Sequence, residues 1–129
     1  MIIKQKEWFS VKQCLDNPKN LYIFGDNTLR VGKGGQAQIR DCNNAFGICT
    51  KMFPDMTDKA FFKDSIKHLE IIEKEIFNLK NEIKNNDYEN IIFPYDGLGS
   101  GLSDMPNKCP LLYRRMNWLI KKNFNIEYK

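Results

Sequence analysis

The apolar residues of this chain fall into two kinds of run. Short unbroken stretches, "LYIFG" (21–25), "AFGICT" (45–50) and "NIIFP" (90–94), read as strands, the first and last covered on both faces. Elsewhere the apolar positions recur at steps of three and four. Phe62, Ile66, Leu69, Ile72, Ile76, Leu79 and Ile83 share one face of a long helix. Thr57 as N-cap, with Asp58 in the first turn, opens that helix at 58, and it runs to about 86. "WFSVKQCL" (8–15) predicts a short amphipathic helix stopped by Asp16-Asn17-Pro18. A last helix, capped by Asn107 with Pro110 in its first turn, carries Leu112, Met116 and Leu119 inward. On it Trp118 reads as a core residue and Tyr113 as an edge residue. "MIIKQ" is a weak first strand, "GQAQIR" (35–40) one or two helical turns, and "NIEY" (125–128) a closing strand.

Strands alternating with helices predict one α/β domain over residues 1–129, a three-layer α/β/α sandwich with a mostly parallel sheet. Ligands of such sheets sit outside the carboxyl ends of the strands. Two glycine-rich segments fall there, "GDNTLRVGKGGQ" after "LYIF" and "DGLGSGLSDMP" after "NIIFPY".

Composition adds bounds rather than an identity. The 129 residues are 42% hydrophobic and 28% charged, ordinary for a globular domain. No apolar run is long enough to span a membrane, and the opening "MIIKQKEWFS" lacks the apolar core of a signal peptide, so a cytoplasmic protein is expected. Four scattered cysteines form no CxxC pair and there is one histidine, which gives no support to a metal site; no cofactor is expected. The net charge of +4 is mild, with "RR" (114–115) and "KK" (121–122) the only tight pairs. These read as solvated helix faces, or as a rim attracting an anion. Nucleic-acid binders usually concentrate their charge more.

The glycine segments fail the common phosphate motifs. Six residues separate Gly25 from Gly32, and Gly34 rather than Ser or Thr follows Lys33, so no P-loop forms. "GLGSG" is not GxGxxG, and 28 residues after Gly101 are too few for a dinucleotide domain. There is no GxSxG elbow. What remains is a clamp. Backbone N–H groups of "GKGGQ" at a helix start and of "GSGLS" in a turn or nest can hold a pyrophosphate from two sides. Alternatively the glycines only permit tight turns.

"GDN…GKGGQAQI" and "IIFPYDGLGSGL" resemble the two ligand loops of macrodomains, which bind ADP-ribose. The order of parts is most similar to the terminal ADP-ribose protein glycohydrolase branch, with Thr50-Lys51 ending a strand, a long helix, and "GSGL" (99–102) before the final helix and strand. The chain also looks like an uncharacterised bacterial and phage group with "FGDN…GxGGQAxIR…GIxTK". The resemblance implies that Asp26, Asn27, Gly32, Gly34, Gly35, Gln36, Gly99, Ser100, Gly101 and Leu102 contact ADP-ribose or an ADP-ribosyl group, free or on a protein or nucleic acid. It further implies that Lys51 attacks the distal ribose while Asp104 transfers protons. The family's aspartate directly follows "GxGL", where this chain has Ser103, so Asp104 stands one residue late.

Each of these residues also has a plainer reading. Asn27 contacts the ribose or forms an Asx turn with its own backbone. Asp26 caps the loop or meets the adenine amino group. A lysine of pKa near 10.4 is only about one part in 2,500 neutral at pH 7, so a nucleophilic Lys51 needs a depressed pKa; otherwise it is solvated or pairs with phosphate. Asp96 is a second carboxylate without motif support, His68 a surface residue, and Phe53 and Tyr95 rim or stacking residues. The sequence thus leaves an ADP-ribosyl hydrolase, a nucleotide-binding module without turnover, and a structural protein with glycine turns.

Overall fold

A computed structural model describes residues 1–128 of the chain. β1 (Ile2–Gln5), β2 (Asn20–Asn27), β3 (Ala45–Lys51) and β4 (Asn90–Pro94) form one sheet in the order β1-β4-β2-β3, and all neighbouring strands are parallel. β4 and β2 are central, and this is why their sequences are unbroken apolar runs. Their side chains alternate: Leu21, Ile23, Ile91 and Phe93 enter one core, and Tyr22, Phe24 and Ile92 enter the other.

Helices cover both faces. α2 (Ile66–Asn85) and α4 (Pro110–Phe124) cover the first through Ile72, Ile76, Leu79, Leu112, Met116 and Ile120. On the second face lie α1 (Val11–Asp16) and a 3-10 turn at Gly35–Ile39, packed through Phe9, Cys14, Ala37 and Ile39. Ser10 starts α1, its hydroxyl accepting the Gln13 N–H at 3.1 Å. The result is a single small α/β domain. All four cysteines are free thiols, and no helix among the described residues is long and apolar enough to cross a membrane.

Four sequence expectations are corrected. The long helix begins at Ile66, not at 58: Thr57 precedes only a 3-10 turn at Asp58–Ala60, and Ser65 caps α2 by accepting the His68 N–H at 3.2 Å. The reason is Phe61, held extended by an isolated antiparallel bridge to Lys51. Phe62 is therefore buried without being helical, and Ile66 is exposed. The closing strand at 125–128 does not form. Asn125 ends α4 in the left-handed conformation at φ +56°, and residues 126–128 pack rather than pair, with Ile126 buried and the Tyr128 hydroxyl donating to Pro94 O at 2.5 Å. The last helix is divided. α3 (Met105–Lys108) contains Asn107 and stops two residues before Pro110, whose ring disfavours helix at the residue preceding it. On α4, Trp118 is 46% exposed instead of buried.

Candidate functional site

The carboxyl ends of β2, β3 and β4 open into a cleft of about 720 Å³. Gly25, Thr50 and Pro94 form its floor. A Cβ at Gly25 would stand 3.3 Å from Thr50 Oγ1 and 3.8 Å from Gly99 N, so the missing side chain lets the second glycine loop settle onto the sheet edge. One wall is Gly34, Gly35 and Gln36; the facing wall is the segment from Tyr95 to Ser103. Both glycine segments therefore line one cleft. They approach closely at its mouth, where Leu102 Cδ1 lies 4.0 Å from the Cβ position of Gly34.

The walls are rich in free donors. In the 3-10 turn the first internal bond is Ala37 N–H to Gly34 O, which leaves the N–H groups of Gly34, Gly35 and Gln36 ahead of it. Among the described residues, no backbone N–H from Gly99 to Ser103 has a protein acceptor. Around them the loop is fixed: Met105 N–H donates to Gly99 O at 2.9 Å, Ser100 Oγ to Asp96 O at 2.8 Å, and the Thr50 and Ser103 hydroxyls share a 2.6 Å bond. Gly97 and Gly99 take φ +87° and +79°, the alternating geometry in which successive amides form an anion-binding nest.

A third wall, from the β1–α1 connection, was not legible in the sequence. It carries Lys6, Glu7 and Trp8. Gln36 Oε1 accepts the Phe9 N–H at 2.8 Å, and the Trp8 ring lies 3.6 Å from the Cβ position of Gly35. Trp8 and Tyr95 are both largely exposed at the rim, with Lys4 and Lys6 Nζ 5.2 and 5.7 Å from the Tyr95 ring centre. Only the position of β1 beside β4 brings this connection to the cleft, and no local pattern announces a strand order. The lining side chains carry one cation, Lys6, against Glu7 and Asp96. Attraction for an anion must come from amide dipoles rather than from net side-chain charge.

The remaining candidates lie elsewhere. Asp26, on β2 and buried, pairs with Arg30 at 3.2 Å and Arg40 at 2.6 Å, so its carboxylate is committed. Arg40 continues to the carbonyls of Val31 and Gly32 at 3.1 and 2.8 Å, and Arg30 to Glu75 at 2.6 Å. This ion network ties down the loop that Gly32 belongs to. Asn27 forms the Asx turn: Oδ1 accepts the Leu29 N–H at 3.1 Å and Nδ2 donates to Val31 O at 2.8 Å. Asp26 pairs with Cys49 and Asn27 with Lys51, which leaves Thr50 as the extra residue of a bulge at the end of β3. Thr50 lines the cleft, whereas Lys51 Nζ donates to Asp55 O at 2.6 Å and sits 4.6 Å from the Phe61 ring centre. Burial pulls the Lys51 pKa down, opposed by the Asp55 charge. Asp104 takes φ +46° at the start of α3 and accepts the Asn107 side-chain N–H at 2.7 Å. Neither Lys51 nor Asp104 lines the cleft. His68 is half-buried rather than a surface residue, and Phe53 lies outside the cleft lining.

No curated protein and no solved structure matches the chain. One family model matches residues 4–119, and the chain belongs to that family, a family of unknown function (DUF7831).

Proposed function

We propose that the cleft binds a nucleotide bearing a pyrophosphate, of the ADP-ribose class, in a macrodomain-like manner and without turning it over. The observation that carries this reading is the run of unpartnered backbone N–H groups from two glycine segments lining one cleft at the carboxyl edge of a parallel sheet. The volume is in the range of small-molecule sites, roughly 300–1,000 Å³. Trp8 and Tyr95 at the rim supply stacking faces for a base. Turnover by lysine attack is disfavoured because Lys51 and Asp104 are engaged in other contacts outside the lining.

Calorimetric titration with ADP-ribose, NAD, cyclic ADP-ribose and AMP tests this. ADP-ribose should bind with a shallow dependence on salt, because oriented amides rather than free charges hold the anion. AMP, lacking the pyrophosphate, should bind at least about tenfold more weakly, the equivalent of one good charged hydrogen bond. Absence of heat with every nucleotide would overturn the reading. Release of ADP-ribose from a modified acceptor, abolished by Lys51→Ala, would replace it with the hydrolase.

A further inference from the structure

We propose that the outer face of α4 is a docking surface for single-stranded nucleic acid, with Trp118 as its stacking platform. This inference concerns a different face of the molecule and does not rest on the nucleotide cleft. The paired cations at 114–115 and 121–122 stand at −4, −3, +3 and +4 from Trp118, the four positions that neighbour it on a helix. The structure draws them together: Arg115 lies 4.3 Å and Lys122 Nζ 4.9 Å from the Trp118 ring centre. α4 contains no acidic residue. A groove of about 340 Å³ runs beside the tryptophan, lined by Tyr113, Arg114, Asn117, Trp118, Lys121 and the C-terminal segment.

Asn117 also lines the groove, but it is only 8% exposed and its Oδ1 is shut off from solvent, so that oxygen is not a contact point for a base. Glu127 is the one carboxylate in the groove, 3.4 Å from Lys121 Nζ, and an exocyclic amine can donate to it. An exposed indole flanked by cations matches the stacking-plus-phosphate chemistry of single strands. A membrane surface fits less well, because the apolar stripe of α4, Leu112, Met116, Ile120 and Phe124, is already buried in the core.

Fluorescence anisotropy with short labelled DNA and RNA oligonucleotides tests the proposal. Binding should be saturable at low ionic strength and weaken with salt. In a Trp8→Phe protein, where Trp118 is the remaining tryptophan, binding should quench its emission. Trp118→Ala should weaken binding about tenfold and Trp118→Phe much less, as expected for a stacked base. Arg114→Glu and Lys121→Glu should each weaken it more than Lys12→Glu, the same charge change on α1 across the sheet. No binding, no response to Trp118→Ala, equal loss with Lys12→Glu, or equal affinity for a duplex would each overturn the proposal. So would an inert oligonucleotide together with sedimentation on phosphatidylserine vesicles that Trp118→Ala abolishes, which would assign the face to membranes.

Discussion

His68 Nδ1 accepts the backbone N–H of Lys63 at 2.7 Å, and its ring stacks on Phe62 with centres 4.8 Å apart. Burial first, and then the nearby Lys67 and Lys63 ammonium groups, pull its pKa below the ordinary 6.5. Protonation would also remove the lone pair that Lys63 N–H uses. With the native pKa below the unfolded one, the unfolded chain binds more protons as pH falls through that window. The contribution of His68 to stability is therefore complete above pH 6.5 and is lost as pH drops toward the native pKa. His68→Asn keeps an acceptor near Lys63 N–H but does not titrate. Its melting temperature should fall less than that of wild type between about pH 7.5 and 5.5; parallel profiles would refute the assignment. Residues of this kind resist reading from sequence because their partners are distant or local by accident of the turn. "GDN" at 25–27 fitted both a ribose contact and an Asx turn, and only the two bonds made by the Asn27 amide choose the turn. Lys51 had the right neighbour, Thr50, but a bulge at Thr50, which no local pattern announces, puts Thr50 in the cleft lining while Lys51 donates to Asp55 O.

At the scale of elements, the glycine loops separate two demands that the sequence merges. Gly99 has φ +79°, and a Cβ there would stand 2.8 Å from Met105 Cγ, inside the packing of α3 against the sheet edge. Gly101 has no atom within 4 Å of its Cβ position. Gly99→Ala should therefore destabilise the fold by about 1–3 kcal/mol, through strain and overpacking, read as a lower urea midpoint. Gly101→Val should leave that midpoint nearly unchanged and abolish ADP-ribose binding, because Gly101 lines the cleft and a branched side chain there crowds a ligand held against its backbone. If Gly101→Val binds normally, the nest is not the anion site. The strands were legible because burial on two faces writes an unbroken apolar run. The start of α2 was not, since Thr57 and Ser65 are both N-cap residue types and both precede helical turns, while only Ser65 makes the capping bond. What decides between them is the bridge from Phe61 to Lys51, a tertiary contact with no local signature.

For the whole molecule, the pattern of elements predicted an α/β domain, but the sheet order decides which connections meet. Placing β1 against β4 carries Trp8 to the cleft, and it also puts Lys4 beside the chain's end, where Lys4 Nζ donates to Glu127 O at 2.9 Å and lies 5.0 Å from the Tyr128 ring centre. The residues expected to form a last strand act instead as a brace. Tyr128 packs 3.3 Å from the Cβ position of Gly97 in the cleft wall, while its other side lines the groove beside α4. Its hydroxyl holds Pro94 O, which also accepts the Gly97 N–H at 3.2 Å. Tyr128→Phe removes one hydrogen bond without orphaning that carbonyl, a loss of about 1 kcal/mol or about 3–5 °C in melting temperature. The variant should also differ at high pH. Burial raises the Tyr128 pKa above its ordinary value of 10, so the native state resists ionisation there. That contribution is complete below pH 10 and declines as pH rises beyond it, when the unfolded chain ionises first. Between about pH 10 and 11 the wild type should lose stability more steeply than Tyr128→Phe, so the two melting curves converge. A constant gap across that range would mean that Tyr128 stays solvated and does not brace the loop over the cleft.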